Sequence, residues 1–116
     1  MIKPRDPREL AIDLLPRSIC SVQVAAVVTD VSGNIISWGW NNVGSGCGLH
    51  AEVHAISRAN KARLWFGSVY VASQRRCNVK TINSKPCEDC QKVINKWMMD
   101  AYFRGPDGNW RRIKFL

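Results

Sequence analysis

No apolar run in this sequence comes near the ~20 residues that a membrane-spanning helix needs. The longest, around Val22 to Val28, is already interrupted by Gln23. An apolar leader is missing too: Lys3, Pro4, Arg5, Asp6 and Pro7 stand where a signal peptide would carry one. Export is therefore not expected, and an intracellular, cytoplasmic, reducing setting is. Acidic residues are scarce, 9 Asp plus Glu against 17 Lys plus Arg, and the resulting net charge of +8 favours polyanionic partners. Repeats, low-complexity tracts and linker-like stretches are absent, so the 116 residues read as one domain over 1–116, with 1–19 as an N-terminal helix and lead-in. Five cysteines (Cys20, Cys47, Cys77, Cys87 and Cys90) make an odd count. Without an export signal they read as reduced thiols rather than a disulfide framework.

What is present is the composition of a folded domain, 46% apolar and 22% charged, which excludes wholesale disorder. Residues 7 to 15 predict a helix with Leu10, Ile12, Leu14 and Leu15 on its apolar side, stopped by Pro16. The β-branched run 22 to 30 and the segment 34 to 42 flank Ser32-Gly33-Asn34 and predict a β-hairpin. Val43 to Gly48 reads as a loop rich in glycine. A helix follows from about His50 to Asn60, its small Ala51, Ala55 and Ala59 suited to close packing on a sheet. A third strand covers 68 to 73. A second motif-bearing helix begins at Lys85-Pro86, where Pro86 suits the first helical position. Cys87, Cys90, Ile94, Trp97 and Met98 fall on one face of that helix. The runs DAYFRG and WRRIKF, separated by Pro106-Asp107-Gly108-Asn109, are too close for a crossover helix and predict antiparallel neighbours. The order implies an α/β fold: a five-stranded mixed sheet with helices against it.

Two clusters carry chemistry, His50-Ala51-Glu52 and Pro86-Cys87-Glu88-Asp89-Cys90, each opening a helix after a loop. Cys87 and Cys90, at i and i+3, share one face of a first turn. There the positive end of the helix dipole favours thiolate. With His50 they make a three-ligand zinc site whose fourth position stays open to water, the mark of catalytic rather than structural zinc. Such an ion lowers the water's pKa from ~15.7 toward ~7. Glu52, two residues past the histidine, can reach that water and move its proton.

His50-Ala51-Glu52 followed by Pro86-Cys87-x-x-Cys90 resembles the zinc-dependent cytidine/deoxycytidylate deaminase superfamily, with its H-x-E…P-C-x-x-C signature. The likeness runs over roughly residues 20 to 116. It implies a cytidine deaminase-like three-layer α/β/α fold with the last two strands as an antiparallel hairpin. It further implies Zn2+ on His50, Cys87 and Cys90, and Glu52 as the proton shuttle. The backbone N–H of Ala51 and the carbonyl of Lys85 would line the base pocket. Asn41, next to Trp40 at the end of the second strand, resembles the family asparagine that contacts the sugar, with Asn42 adjacent and able to fill the role. Trp40 itself is the aromatic expected at the pocket.

Other readings stand beside these. Cys47, three residues before His50, would close the metal site as a fourth ligand; as a loop thiol it would leave the site open. His54, one turn on, reads as a packed or surface histidine, and HAEVH lacks the H-E-x-x-H order of a metalloprotease. Cys20 and Cys77 read as small buried side chains or free thiols. The basic groups Arg58-Lys61-Arg63, Arg75-Arg76-Lys80 and Arg111-Arg112-Lys114 are solvated surface unless they converge on the zinc mouth.

Charge favours a cytosine base carried on a phosphorylated nucleotide or single-stranded nucleic acid, hydrolysed to uracil with release of ammonia. The antiparallel final hairpin resembles the free cytidine and deoxycytidine branch and some compact nucleic-acid deaminases. LHAEVHAI resembles the aminopyrimidine deaminase of riboflavin biosynthesis. A non-catalytic, zinc-stabilised nucleic-acid-binding module is the reading from another class, and Glu52 argues against it. No membrane partner is expected, and assembly into a homo-oligomer is left open by the sequence.

Overall fold

The computed structural model describes residues 5–42 and 50–113. Helix α1 spans Pro7–Leu14, strands β1 and β2 span Val22–Thr29 and Ile35–Trp40, and helix α2 spans Ala51–Arg58. Strand β3 (Ser68–Arg75), helix α3 (Glu88–Lys96) and strands β4 (Asp100–Arg104) and β5 (Trp110–Ile113) complete the order. The five strands form one sheet in the order β2-β1-β3-β4-β5. Only β3 and β4 run parallel, joined through α3, and β4–β5 is the antiparallel hairpin that its short turn dictates.

Position in the sheet explains the sequence of each strand. β1 lies between two neighbours and is covered on both faces, so Ala25 to Val28 are fully buried and the run is continuously apolar. Its even-numbered residues Ala26 and Val28 share a core with Ala51, Ala55 and Ile56 of α2 and Ile94 of α3. Its odd-numbered residues Ala25 and Val27 meet Ala11, Leu14 and Leu15 on the other side. Helices α2 and α3 thus form one layer and α1 the opposite one. The small residues of α2 allow an intimate fit: Ser37 Oγ donates to the Ala55 carbonyl at 2.6 Å, and Gly39 leaves no room for a Cβ against the Ala55 nitrogen.

Helix ends differ from expectation in instructive ways. Asp6 caps α1 by accepting from the Arg8 N–H at 2.8 Å, and beyond Leu14 the chain tightens into a 3-10 turn through Pro16 to Arg17. Pro86 is not the first helical residue, because Cys87 is the N-cap and α3 starts at Glu88. Met98, expected on the apolar face of α3, is instead exposed in a left-handed conformation just past the end of that helix. Its N–H reaches the Asn95 carbonyl and that of Met99 reaches Ile94, a Schellman closure that buries Met99 in place of Met98.

Candidate active site

Sheet and helices converge at the N-terminal ends of α2 and α3. His50 is the N-cap of α2 and Cys87 the N-cap of α3, and neither side chain caps its own helix. Both turn toward a common point instead. His50 Nδ1 lies 3.3 Å from Cys87 Sγ and 3.1 Å from Cys90 Sγ. One donor atom from each of the three residues lies within 4.8 Å of the others, the one such group of His, Cys, Asp and Glu among the described residues. Zinc bonds of ~2.3 Å to sulfur and ~2.0–2.1 Å to nitrogen, at a tetrahedral angle, put donors roughly 3.5–3.8 Å apart. Two thiols and an imidazole at this spacing fit a zinc ion with only small adjustment. The sequence alternative of Cys47 as a fourth ligand lies outside the described residues.

Burial, then the neighbouring Glu52 and Cys87, push the Cys90 thiol well above its ordinary value. A divalent cation reverses the balance by making the deprotonated sulfur the favoured form. Glu52 is buried on the first turn of α2 with 4% of its surface exposed. Burial holds its carboxyl above the usual range, opposed by its own backbone N–H, by His50 and by Cys90.

Beside these groups opens a cavity of about 200 Å³ lined by His50, Ala51, Glu52, Asn41 and Lys85, with Val22, Val24, Ser73 and the segment Ile82 to Ser84. Drug-sized ligands occupy ~300–1,000 Å³, so this is space for one small ring. Four expected pocket residues (Asn41, Ala51, Glu52 and Lys85) therefore meet in one place. Trp40 does not. Successive strand residues point to opposite faces, so with Asn41 facing the cavity Trp40 must turn toward the α1 side. There it packs near Ala25 and Val27, with the Arg17 guanidinium 5.6 Å from its ring.

Asn41 is also more engaged than a simple ligand contact requires. Its Oδ1 accepts from Ser18 Oγ at 2.7 Å and from the Val24 N–H at 2.9 Å, and its Nδ2 donates to the Val22 carbonyl at 2.8 Å. Asn42 donates to the Trp40 carbonyl at 3.0 Å and is not part of the cavity wall. His54 is packed, as expected, its Nδ1 3.2 Å from the Trp40 N–H and its ring edge-on to that indole. Cys77 is an exposed free thiol, whereas Cys20 is buried and disulfide-bonded, which corrects its reading as a reduced side chain. Sequence reasoning missed Ser73, Asn83 and Ser84 in the cavity wall. They lie in no motif, and Ser73 and Ser84 meet, Oγ to Oγ at 2.8 Å, only once β3 and the following segment fold together.

A family model for the cytidine and deoxycytidylate deaminase zinc-binding region matches residues 8–103. No curated protein sequence matches the chain. Among solved structures, a cytidine deaminase from Burkholderia pseudomallei superposes with a TM-score of 0.69 at 19% identity, covering 93% of this chain and 89% of that one. A cytidine deaminase from Mycobacterium leprae gives 0.59 at 20% identity, covering 90% and 88%. Those likenesses establish the fold that the strand order describes. The family match spans most of the chain and takes in both clusters whose side chains meet at the two helix starts. The chain therefore belongs to the cytidine and deoxycytidylate deaminase zinc-binding family, and it is a zinc-dependent deaminase.

Proposed function

We propose that this deaminase converts a cytosine-type base to uracil with release of ammonia, the base being carried on a phosphorylated nucleotide or single-stranded nucleic acid. The observation that carries this reading is the single cavity in which Glu52 and Lys85 flank His50, sized for one ring. His50, Cys87 and Cys90 would hold zinc, which supplies an activated water at the amine-bearing carbon when bound. Glu52 then moves protons. Buried beside His50, its carboxyl takes one proton released from water and passes it to the ring nitrogen, then takes the second from the hydroxyl added to the base and passes that to the departing amine as the carbonyl forms. The Lys85 carbonyl accepts from that amine, and the Ala51 N–H at the start of α2 donates to the base. Asn41 shapes the wall, with one of its two amide N–H donors left over after Val22.

Net charge supports a phosphorylated substrate, since +8 attracts polyanions. Free cytidine is the competing reading, favoured because both solved neighbours described above are cytidine deaminases. A screen of the zinc-loaded protein against nucleosides, nucleotides and short oligonucleotides, read by mass change, tests both. Conversion of cytosine in nucleotides or oligonucleotides that weakens with salt is the expected result. Turnover confined to free nucleosides rejects it, and no ammonia from any cytosine compound rejects the deamination chemistry proposed for this pocket.

A further inference from the structure

Next to the base cavity lies a second, larger hollow of about 570 Å³, lined by Ile19, Ser21, Val22, Arg75, Arg76 and Cys77. Val22 belongs to the walls of both, so the two spaces are neighbours across one side chain. The hollow combines apolar surface with cationic donors. Ile19 and Val22 are 70% and 37% exposed. Arg75 and Arg76 are both exposed at the end of β3, one in the strand's last position and one just beyond it.

The placement of these arginines is fixed by the backbone. The Arg76 N–H donates to the Ser21 carbonyl and its guanidinium to the Ile19 carbonyl, each at 2.9 Å, which ties the β3 end to the segment entering β1. The Arg75 N–H donates to the Lys80 carbonyl at 2.9 Å, turning the chain so that a third cation follows. One bond to Ile19 leaves most of the five guanidinium N–H donors of Arg76 available. The four ion pairs among the described residues join Arg5 to Asp13, Arg63 to Asp30, Arg111 to Asp107 and Arg112 to Asp100. Arg75 and Arg76 take part in none of them.

We infer that this hollow is a subsite for the nucleotide adjoining the target cytosine in a single-stranded polynucleotide. Arg75 and Arg76 hold the intervening phosphodiester, and the neighbouring base lies against Ile19 and Val22. The inference rests on the proposed cytosine chemistry and sharpens its substrate from phosphorylated to polymeric. A lone phosphate would need only the arginines. A hollow larger than the base cavity, with two exposed apolar side chains beside the arginines, has room for a whole nucleotide, and base contact with guanidinium surface adds affinity without demanding sequence.

The test measures binding of a dye-labelled five-nucleotide strand with one central cytosine to zinc-loaded Glu52→Ala protein, which does not consume it. Replacing Arg75 and Arg76 together with Ala is expected to weaken binding at least tenfold. It should also flatten the dependence of log affinity on log salt by about 0.7, the contribution of the one single-strand phosphate that the two arginines share. Arg75→Ala alone, which removes no side-chain bond to Ile19, should weaken binding in the same direction by a smaller factor and guards against misfolding of the double variant. Equal affinity and slope in all three proteins overturns the subsite. Competition by deoxycytidine monophosphate as effective as by the unlabelled strand overturns the adjoining-nucleotide assignment. Conversion of the same strand by protein with Glu52 intact is read separately by mass. No conversion with arginine-dependent binding defeats the chemistry and spares the subsite; conversion with arginine-independent binding does the reverse.

Discussion

His50 and Cys87 occupy the same position on two different helices, each the N-cap, with Nδ1 and Sγ 3.3 Å apart. Their helices lie in one layer on the sheet, so the metal site is a clasp between α2 and α3 as well as a reaction centre. Cys90, one turn into α3, is buried while Cys87 is exposed. Chelation should lower the melting temperature, since a ligand at 100 times its Kd stabilises by ~2.7 kcal/mol. Cys87→Ser should lose zinc yet melt like the chelated wild type. Cys90→Ser should lose zinc and melt lower still, because a hydroxyl replaces a packed sulfur. Metal content by atomic absorption beside thermal melts checks both, and a Cys87→Ser protein that keeps its zinc contradicts the ligand set.

Glu52→Gln keeps the shape of the buried side chain and removes its ability to carry a proton. Turnover should fall by about 10²–10⁴-fold, the usual contribution of a positioned general acid-base. Zinc content should be unchanged, and the fold should be at least as stable, because the desolvation that disfavours the charged carboxylate no longer acts. Retained activity with full zinc occupancy would remove Glu52 from the mechanism.

Asn41 makes its mark through the fold first. Asn41→Ala takes the side-chain partner from the Val24 N–H and the Val22 carbonyl and the acceptor from the Ser18 hydroxyl, which still accepts from the Cys20 N–H. Unsatisfied groups of this kind cost ~1–3 kcal/mol each, and partial access of water should hold the total to about 2–4 kcal/mol. Denaturant melts measure the loss. A variant of unaltered stability with a raised KM would instead make Asn41 a plain substrate contact.

The motif residues were legible because their chemistry and spacing are local: a cysteine pair one turn apart and a carboxylate two residues beyond a histidine need no tertiary knowledge. Strands were legible for a similar reason, β1 from its unbroken apolar run and β4–β5 from a turn too short for anything but a hairpin. The failures are of other kinds. Trp40 was assigned by its nearness to Asn41 in sequence, yet strand alternation sends neighbours to opposite faces. Met98 fits the helical period of α3, but the helix has already closed, and the period means nothing past its cap. Asn83 and Ser84 have no pattern at all, and they reach the cavity only because the segment after β3 folds back beside it.

Gly39 is where β2 touches α2 most closely. A Cβ there would sit 2.7 Å from the Ala55 nitrogen and 2.9 Å from the His54 ring, and the first of these is backbone that cannot swing aside. Gly39→Ala should therefore push α2 off the sheet at a cost of about 1–3 kcal/mol. Because His50 starts that helix, zinc affinity should fall as well. A competitive chelator titration together with a melt measures the two effects, and a variant weakened in neither would show that the contact relaxes freely.

Asp30 organises the turn between β1 and β2 and ties it to the segment after α2. Its Oδ1 accepts from the Ser32 and Asn34 N–H groups at 3.0 and 2.9 Å, and Oδ2 accepts from Arg63 at 2.7 Å. Arg63, followed by the Asn34 N–H, holds the carboxyl below its ordinary value. A pKa lower in the folded than in the unfolded chain means that the stabilisation is complete above the unfolded value of ~3.9. It drains away as pH falls through that value toward the folded one. Asp30→Asn should thus melt below wild type at pH 7 and 5, and the gap should narrow as pH falls below ~3.9. Chelator in both samples removes the pH dependence that zinc binding would add. A gap that persists unchanged at pH 3 would mean that the carboxylate charge is not what stabilises the turn.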